Sequence, residues 1–138
     1  MRIKMVKLSA IQLCSVPNVD DNLVKISHFL FELINRYPIN TEHLVLLPEC
    51  CLYFGGADNE QLALAQNIKQ TNLFERLAQL AKEYKVYLVT GTVPLLTEQG
   101  DKYTNTSYLF SPQGQLVADY HKIHLFDVVV DDNAKNYV

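Results

Sequence analysis

The sequence predicts an α/β domain built on a mixed sheet, and three observations predict it. Two aliphatic runs, residues 5–13 and about 43–47, flank a stretch whose apolar residues recur at helical spacing. A third run, residues 86–92, is again reached through a helical pattern, so the first three strands are expected to be parallel. From Tyr103 onward the rhythm changes to strand, tight turn, strand, the mark of an antiparallel hairpin.

Taken in order, the first strand carries Lys7, Ser9 and Gln12 among aliphatic residues, and Pro17 closes it. Asp20 or Asp21 is the expected cap of the helix that follows, since a carboxylate there accepts from free N–H groups and suits the helix dipole. Leu23, Ile26, Leu30, Leu33 and Tyr37 make one apolar stripe, which Pro38 ends. Leu44-Val45-Leu46-Leu47 then reads as a short, fully buried strand. Residues 50–59 form a loop with Gly55-Gly56, and a short helix is expected over 60–68. Asn72 and Glu75 resemble a capping box, opening a helix with Phe74, Leu77, Leu80, Ala81 and Tyr84 on its apolar face. Residues 103–111 and 116–120 are the hairpin strands, joined through Pro112-Gln113-Gly114.

Composition bounds the function. At 138 residues, 49% of them apolar, the chain suits one modest domain with its own core. A formal charge of −3 with dispersed Lys and Arg argues against nucleic acid or a membrane surface as partner. No apolar run nears the ~18 residues of a membrane span, and the N-terminus mixes charge into its apolar residues. Three cysteines, Cys14, Cys50 and Cys51, are an odd count that suits a reducing compartment, so a cytoplasmic location is expected.

The chemistry is expected at one rim of the sheet. Pro48 stops the second strand and Glu49 follows directly, at the C-terminal end where open α/β sheets bind ligands. Such a carboxylate has two readings: an exposed loop Glu, or one with a flank against apolar core that suits general-base work. If the third strand points up, the hairpin points down and then up, which delivers Lys122 to the same rim. A carboxylate and an ammonium on neighbouring strand ends can form a simple ion pair. Alternatively the one takes a proton while the other stabilises developing negative charge.

Leu47-Pro48-Glu49, then Asn105-Thr106-Ser107-Tyr108, then Gly114 and Tyr120-x-Lys122-x-His124-Leu125-Phe126 resemble the nitrilase superfamily of carbon–nitrogen hydrolases in order and separation. Lys122 to Asp127 is most similar to the branch of omega-amidase and deaminated-glutathione amidase, although His121 stands where that branch often has Arg. The resemblance implies the N-terminal half of an α-β-β-α sandwich, a mixed sheet with helices on one face, over residues 1–138. It implies Glu49 as general base and Lys122 as oxyanion-stabilising lysine beside a cysteine nucleophile that attacks a small amide or nitrile. No metal or organic cofactor is implied, and a homo-oligomer is implied for a full-length version. The family's cysteine follows the lysine by tens of residues, and none of the three cysteines here matches its motif. The 138-residue chain is therefore expected to be inactive alone. The alternative is a non-catalytic relative that binds or oligomerises through an exposed sheet face.

Other residues have two readings. Tyr53, beside the Gly-Gly loop, is a candidate for substrate contact or a loop aromatic resting on the core. His124 is a candidate substrate-binding residue or a hydrogen-bonding group that fixes the loop of Lys122. His121, His124 and Asp127 lack a fourth ligand for a structural metal. Cys14, Cys50 and Cys51 read as compact core residues.

Overall fold

A computed structural model describes residues 6–37, 42–56, 60–68, 72–100 and 102–124. Among the described residues six strands and three helices follow in the order β1 (Val6–Ala10), α1 (Val19–Arg36), β2 (Glu42–Leu46), α2 (Glu60–Asn67), α3 (Leu73–Tyr84), β3 (Tyr87–Val89), β4 (Val93–Leu96), β5 (Tyr103–Phe110) and β6 (Leu116–His121). β1, β2 and β3 pair in parallel, and β5 is antiparallel to β3, to β4 and to β6. The mixed sheet and the hairpin are those expected from sequence. β6 therefore runs in the direction of β1–β3 and ends on the rim where β2 ends.

The expected third strand is interrupted. β3 and β4 pair with successive lengths of β5, Val89 opposite Leu109 and Val93 opposite Thr106. Three residues, Thr90, Gly91 and Thr92, thus face only two, Ser107 and Tyr108, which is a one-residue bulge. Gly91 takes φ +67, a left-handed backbone in which a side chain is strained. A glycine inside a β-branched run is the sequence sign of such a bulge.

One face of the sheet carries the core. Val45, Leu47, Leu88, Tyr108 and Phe110 are buried with Leu23, Ile26 and Leu30 of α1 and Leu73, Leu77, Ala81 and Tyr84 of α3. Leu64 of α2 packs against the same cluster. The opposite face is apolar too, yet Leu8 is 75%, Leu46 47% and Tyr120 58% exposed. This corrects the expectation of a fully buried second strand. The residues of β2 alternate, His43 and Val45 toward the helices and Leu46 away from them, and nothing among the described residues covers the second face.

The helix starts also differ. Asn18, not Asp20 or Asp21, caps α1, its side chain accepting from the Asp21 N–H at 3.1 Å. Asp20 instead accepts from Arg76 of α3 at 2.6 Å. Asn72 has a left-handed backbone and makes no side-chain cap bond, so the capping box does not form. Tyr37 is the exposed C-cap of α1 rather than part of its buried stripe, and Pro38 lies outside the described residues. Cys14, expected in the core, is exposed.

Asn22 is the buried polar residue that ties α1 to the loop after Glu49. Its amide donates to the carbonyls of Val16 at 2.7 Å and Leu52 at 2.8 Å, and its oxygen accepts from the Val16 N–H at 2.9 Å. Removing it leaves the Leu52 carbonyl, in a buried bond, and the half-buried Val16 N–H and carbonyl without their side-chain partner. Asn22→Ala is expected to cost roughly 2–4 kcal/mol, read from denaturant unfolding of the two chains.

Candidate active site

Glu49 and Lys122, 73 residues apart in sequence, meet at the C-terminal rim: Lys122 Nζ donates to Glu49 Oε1 at 2.7 Å. They do not sit on neighbouring strand ends, as expected. The β3–β4 strand and β5 lie between β2 and β6. Three strand spacings amount to about 14 Å, a gap that only two long side chains reaching toward each other can close. Beneath them the sheet supplies a floor. Leu46, Leu47, Pro48, Glu49, Gly91, Thr92, Asn105, Ser107, Tyr120 and Lys122 line one concavity of about 410 Å³, open on the apolar face.

Local structure fixes each member. Leu47 N–H donates to the Val89 carbonyl at 2.9 Å, which extends β2 pairing by one residue, and Pro48 then ends it. Glu49 and Cys50 form a turn in which Cys50 takes φ +53 and its N–H donates to Thr92 Oγ1 at 2.9 Å. Lys122 follows β6, and its N–H donates to the Asn105 carbonyl at 2.8 Å. Next to it, Thr106 Oγ1 and His121 Nδ1 are 2.8 Å apart, securing the last pair of the hairpin.

Electrostatics follow from this geometry. The hydrogen bond it donates to Glu49 holds the Lys122 ammonium above the ordinary lysine pKa, so it stays charged throughout the neutral range. The folded-state pKa is raised, so the pair's contribution is complete below the ordinary value of 10.5 and is lost as pH rises through the folded one. Side-chain exposures of 57% for Glu49 and 32% for Lys122 correct the expected apolar flank on the carboxylate. In these residues water reaches both partners. Burial raises the Cys50 thiol, and burial with the neighbouring Cys50 pushes the Cys51 thiol up to about 12. Neither is a ready thiolate at neutral pH.

The other candidates lie elsewhere. The Tyr53 hydroxyl donates to Glu60, which raises its pKa, and Tyr53 is absent from the lining of the concavity. His124 is exposed and also outside that lining. Asp127 falls outside the described residues. Among the described residues no three His, Cys, Asp or Glu side chains group to hold a metal ion, and no helix is long and apolar enough to cross a membrane. A larger hollow of about 640 Å³, between β1 and the second half of α1, contains neither Glu49 nor Lys122. Sequence reasoning missed Thr92, Ser107 and Tyr120 as lining, because the bulge and the hairpin register that aim them are set by pairing.

The sequence profile described as carbon-nitrogen hydrolase matches residues 7–137. The chain belongs to the carbon-nitrogen hydrolase family. A deaminated glutathione amidase of Yersinia enterocolitica is 33% identical over 131 residues, which is 94% of this chain and 44% of the relative. An omega-amidase of Homo sapiens is 34% identical over 124 residues, 90% of this chain and 42% of that one. Among solved structures, a nitrilase-superfamily protein of Saccharomyces cerevisiae superimposes with a TM-score of 0.68 at 27% identity, over 86% of this chain and 44% of that chain. The chain spans less than half the length of these relatives. The mixed sheet with helices on one face is thus a nitrilase-superfamily fold element.

Replacing Glu49 with Gln removes the negative charge that Lys122 is paired with. In Glu49→Gln the Lys122 pKa is expected to fall, as followed by an NMR titration of the lysine side-chain carbons.

Proposed function

We propose that this chain supplies the general base and the oxyanion-stabilising cation of a hydrolase that cleaves the carbon–nitrogen bond of a small amide. The observation that carries this reading is the 2.7 Å contact of Lys122 with Glu49 on an open apolar rim. Membership of the carbon-nitrogen hydrolase family, and the amidase names of its relatives, support the reaction class.

The roles follow from charge and reach. A cysteine thiol of ordinary pKa is mostly protonated at neutral pH and needs a base or a nearby cation. Glu49 takes that proton as sulfur attacks the amide carbon. Lys122 stabilises the negative charge that develops on the former carbonyl oxygen. Glu49 returns the proton to the leaving nitrogen, ammonia departs, and the acyl group stays on sulfur as a thioester. Water, deprotonated by the same carboxylate, then attacks the thioester carbon; the carbon–sulfur bond breaks, the acid leaves and the carboxylate returns the proton to sulfur. The attacking cysteine is not one of the three here, which all precede Lys122 and do not match the nucleophile's motif. No cofactor enters the scheme.

A chimera that continues this chain with the remainder of the Yersinia enterocolitica relative tests the reading. Ammonia release from a small amide is expected, lowered by about 10²–10⁴-fold in Glu49→Gln and in Lys122→Ala. Equal turnover in the variants would overturn the assignment. The 138-residue chain alone is expected to release no ammonia. A burst abolished by Lys122→Ala would show that it carries its own nucleophile.

A second reading, a non-catalytic binding or oligomerisation module, is favoured by the exposed apolar face of Leu8, Leu46 and Tyr120. It expects concentration-dependent self-association in analytical ultracentrifugation. A monomer at every concentration counts against it.

A further inference from the structure

The stretch that carries Glu49 is docked, residue by residue, onto the β3–β4 bulge. Leu47 N–H donates to the Val89 carbonyl at 2.9 Å. The Pro48 carbonyl lies so close to Gly91 that a Cβ there would stand 1.9 Å from its oxygen. Cys50 N–H donates to Thr92 Oγ1 at 2.9 Å, and the Cys51 thiol donates to the Thr90 carbonyl at 2.8 Å. Of the five residues 47–51, Glu49 is the one whose side chain turns instead to Lys122.

Thr92 differs from the other contacts in what it holds. The Leu47, Pro48 and Cys51 contacts use backbone or a buried thiol and persist whatever the side chain at 92. The Cys50 amide is the group immediately beyond Glu49, and Cys50 has a left-handed backbone that an L-residue adopts at a cost. Without a partner for its N–H, that turn has less reason to persist. Thr92 also lines the concavity between Glu49 and Asn105, beneath the reach of the two charged side chains.

We infer that Thr92 is a positioning residue for Glu49: by accepting the Cys50 N–H it holds the turn that aims the carboxylate at Lys122. The inference rests on the reading of Glu49 and Lys122 as an active-site pair. It assigns the hydroxyl, not the size of the side chain, as the feature that matters.

The test is the Lys122 titration in the 138-residue chain, compared among wild type, Glu49→Gln, Thr92→Val, Thr92→Ala and Thr92→Ser. Loss of the aimed carboxylate is expected to lower the Lys122 midpoint in Thr92→Val and Thr92→Ala. A drop of about half a unit corresponds to roughly threefold in the dissociation constant. Thr92→Ser, which keeps the hydroxyl, is expected to match wild type. A merely structural threonine would alter thermal stability in Thr92→Val without moving the Lys122 midpoint. That result, with Glu49→Gln still lowering the midpoint, overturns the inference and leaves the Glu49–Lys122 pair intact. An unmoved midpoint in Glu49→Gln overturns the pair and the inference together.

Discussion

The close approach of the Pro48 carbonyl to Gly91 is the constraint on which the site depends. It requires a bulge in the middle strand, a glycine at its centre and a proline ending the strand beside it. Each of the three has its own local cause. Proline cannot continue the ladder, glycine alone accepts the left-handed backbone at no steric penalty, and a bulge lets the middle strand bend toward its neighbour. Together they place a carboxylate just off the end of β2, beside the bulge. The same bulge is where the ten-residue stretch 87–96 splits into β3 and β4. One irregularity thus sets both the topology and the chemistry.

Two faces of one sheet carry different work. The helical side is closed by large aliphatic and aromatic residues, including the edge-on contacts of Phe74 with Tyr108 and Phe110 at 5.4 and 4.9 Å between ring centres. The other side keeps its apolar residues in the open, and the ion pair sits at its rim. A charged pair in water has a weak mutual attraction, and the same pair under an apolar cover interacts more strongly. Covering that face would therefore sharpen the electrostatics of Glu49 and Lys122 as well as bury Leu46 and Tyr120.

Much of this was legible in the residues. The helices announce themselves by spacing, the hairpin by Pro112-Gln113-Gly114, and Glu49 by the proline before it. The direction of each strand follows from what connects it to the last, and that alone predicts Lys122 on the rim of Glu49. What stayed hidden depends on pairing. The bulge shows only when three residues are set against two, and the lanes between Glu49 and Lys122 emerge only from the strand order. Caps failed for a related reason: Asp20 has a better partner in Arg76, and Asn18 was left to close α1. Leu46 and Cys14 are exposed despite their apolar character, because hydrophobicity alone does not say whether a face has anything to pack against.

The hairpin that brings Lys122 to the rim has a consequence for dynamics. Every residue of β6 is exposed, and among the described residues it pairs on one side only, with β5. An edge of that kind is held by ladder hydrogen bonds with little packing behind them, and such elements open locally at far lower free energy than the core. The ammonium therefore follows an edge strand, while the carboxylate follows a strand paired on both sides. Local fraying would withdraw Lys122 without unfolding anything else. Opening of that edge alone would part the ammonium from the carboxylate while the helix-covered core stays packed.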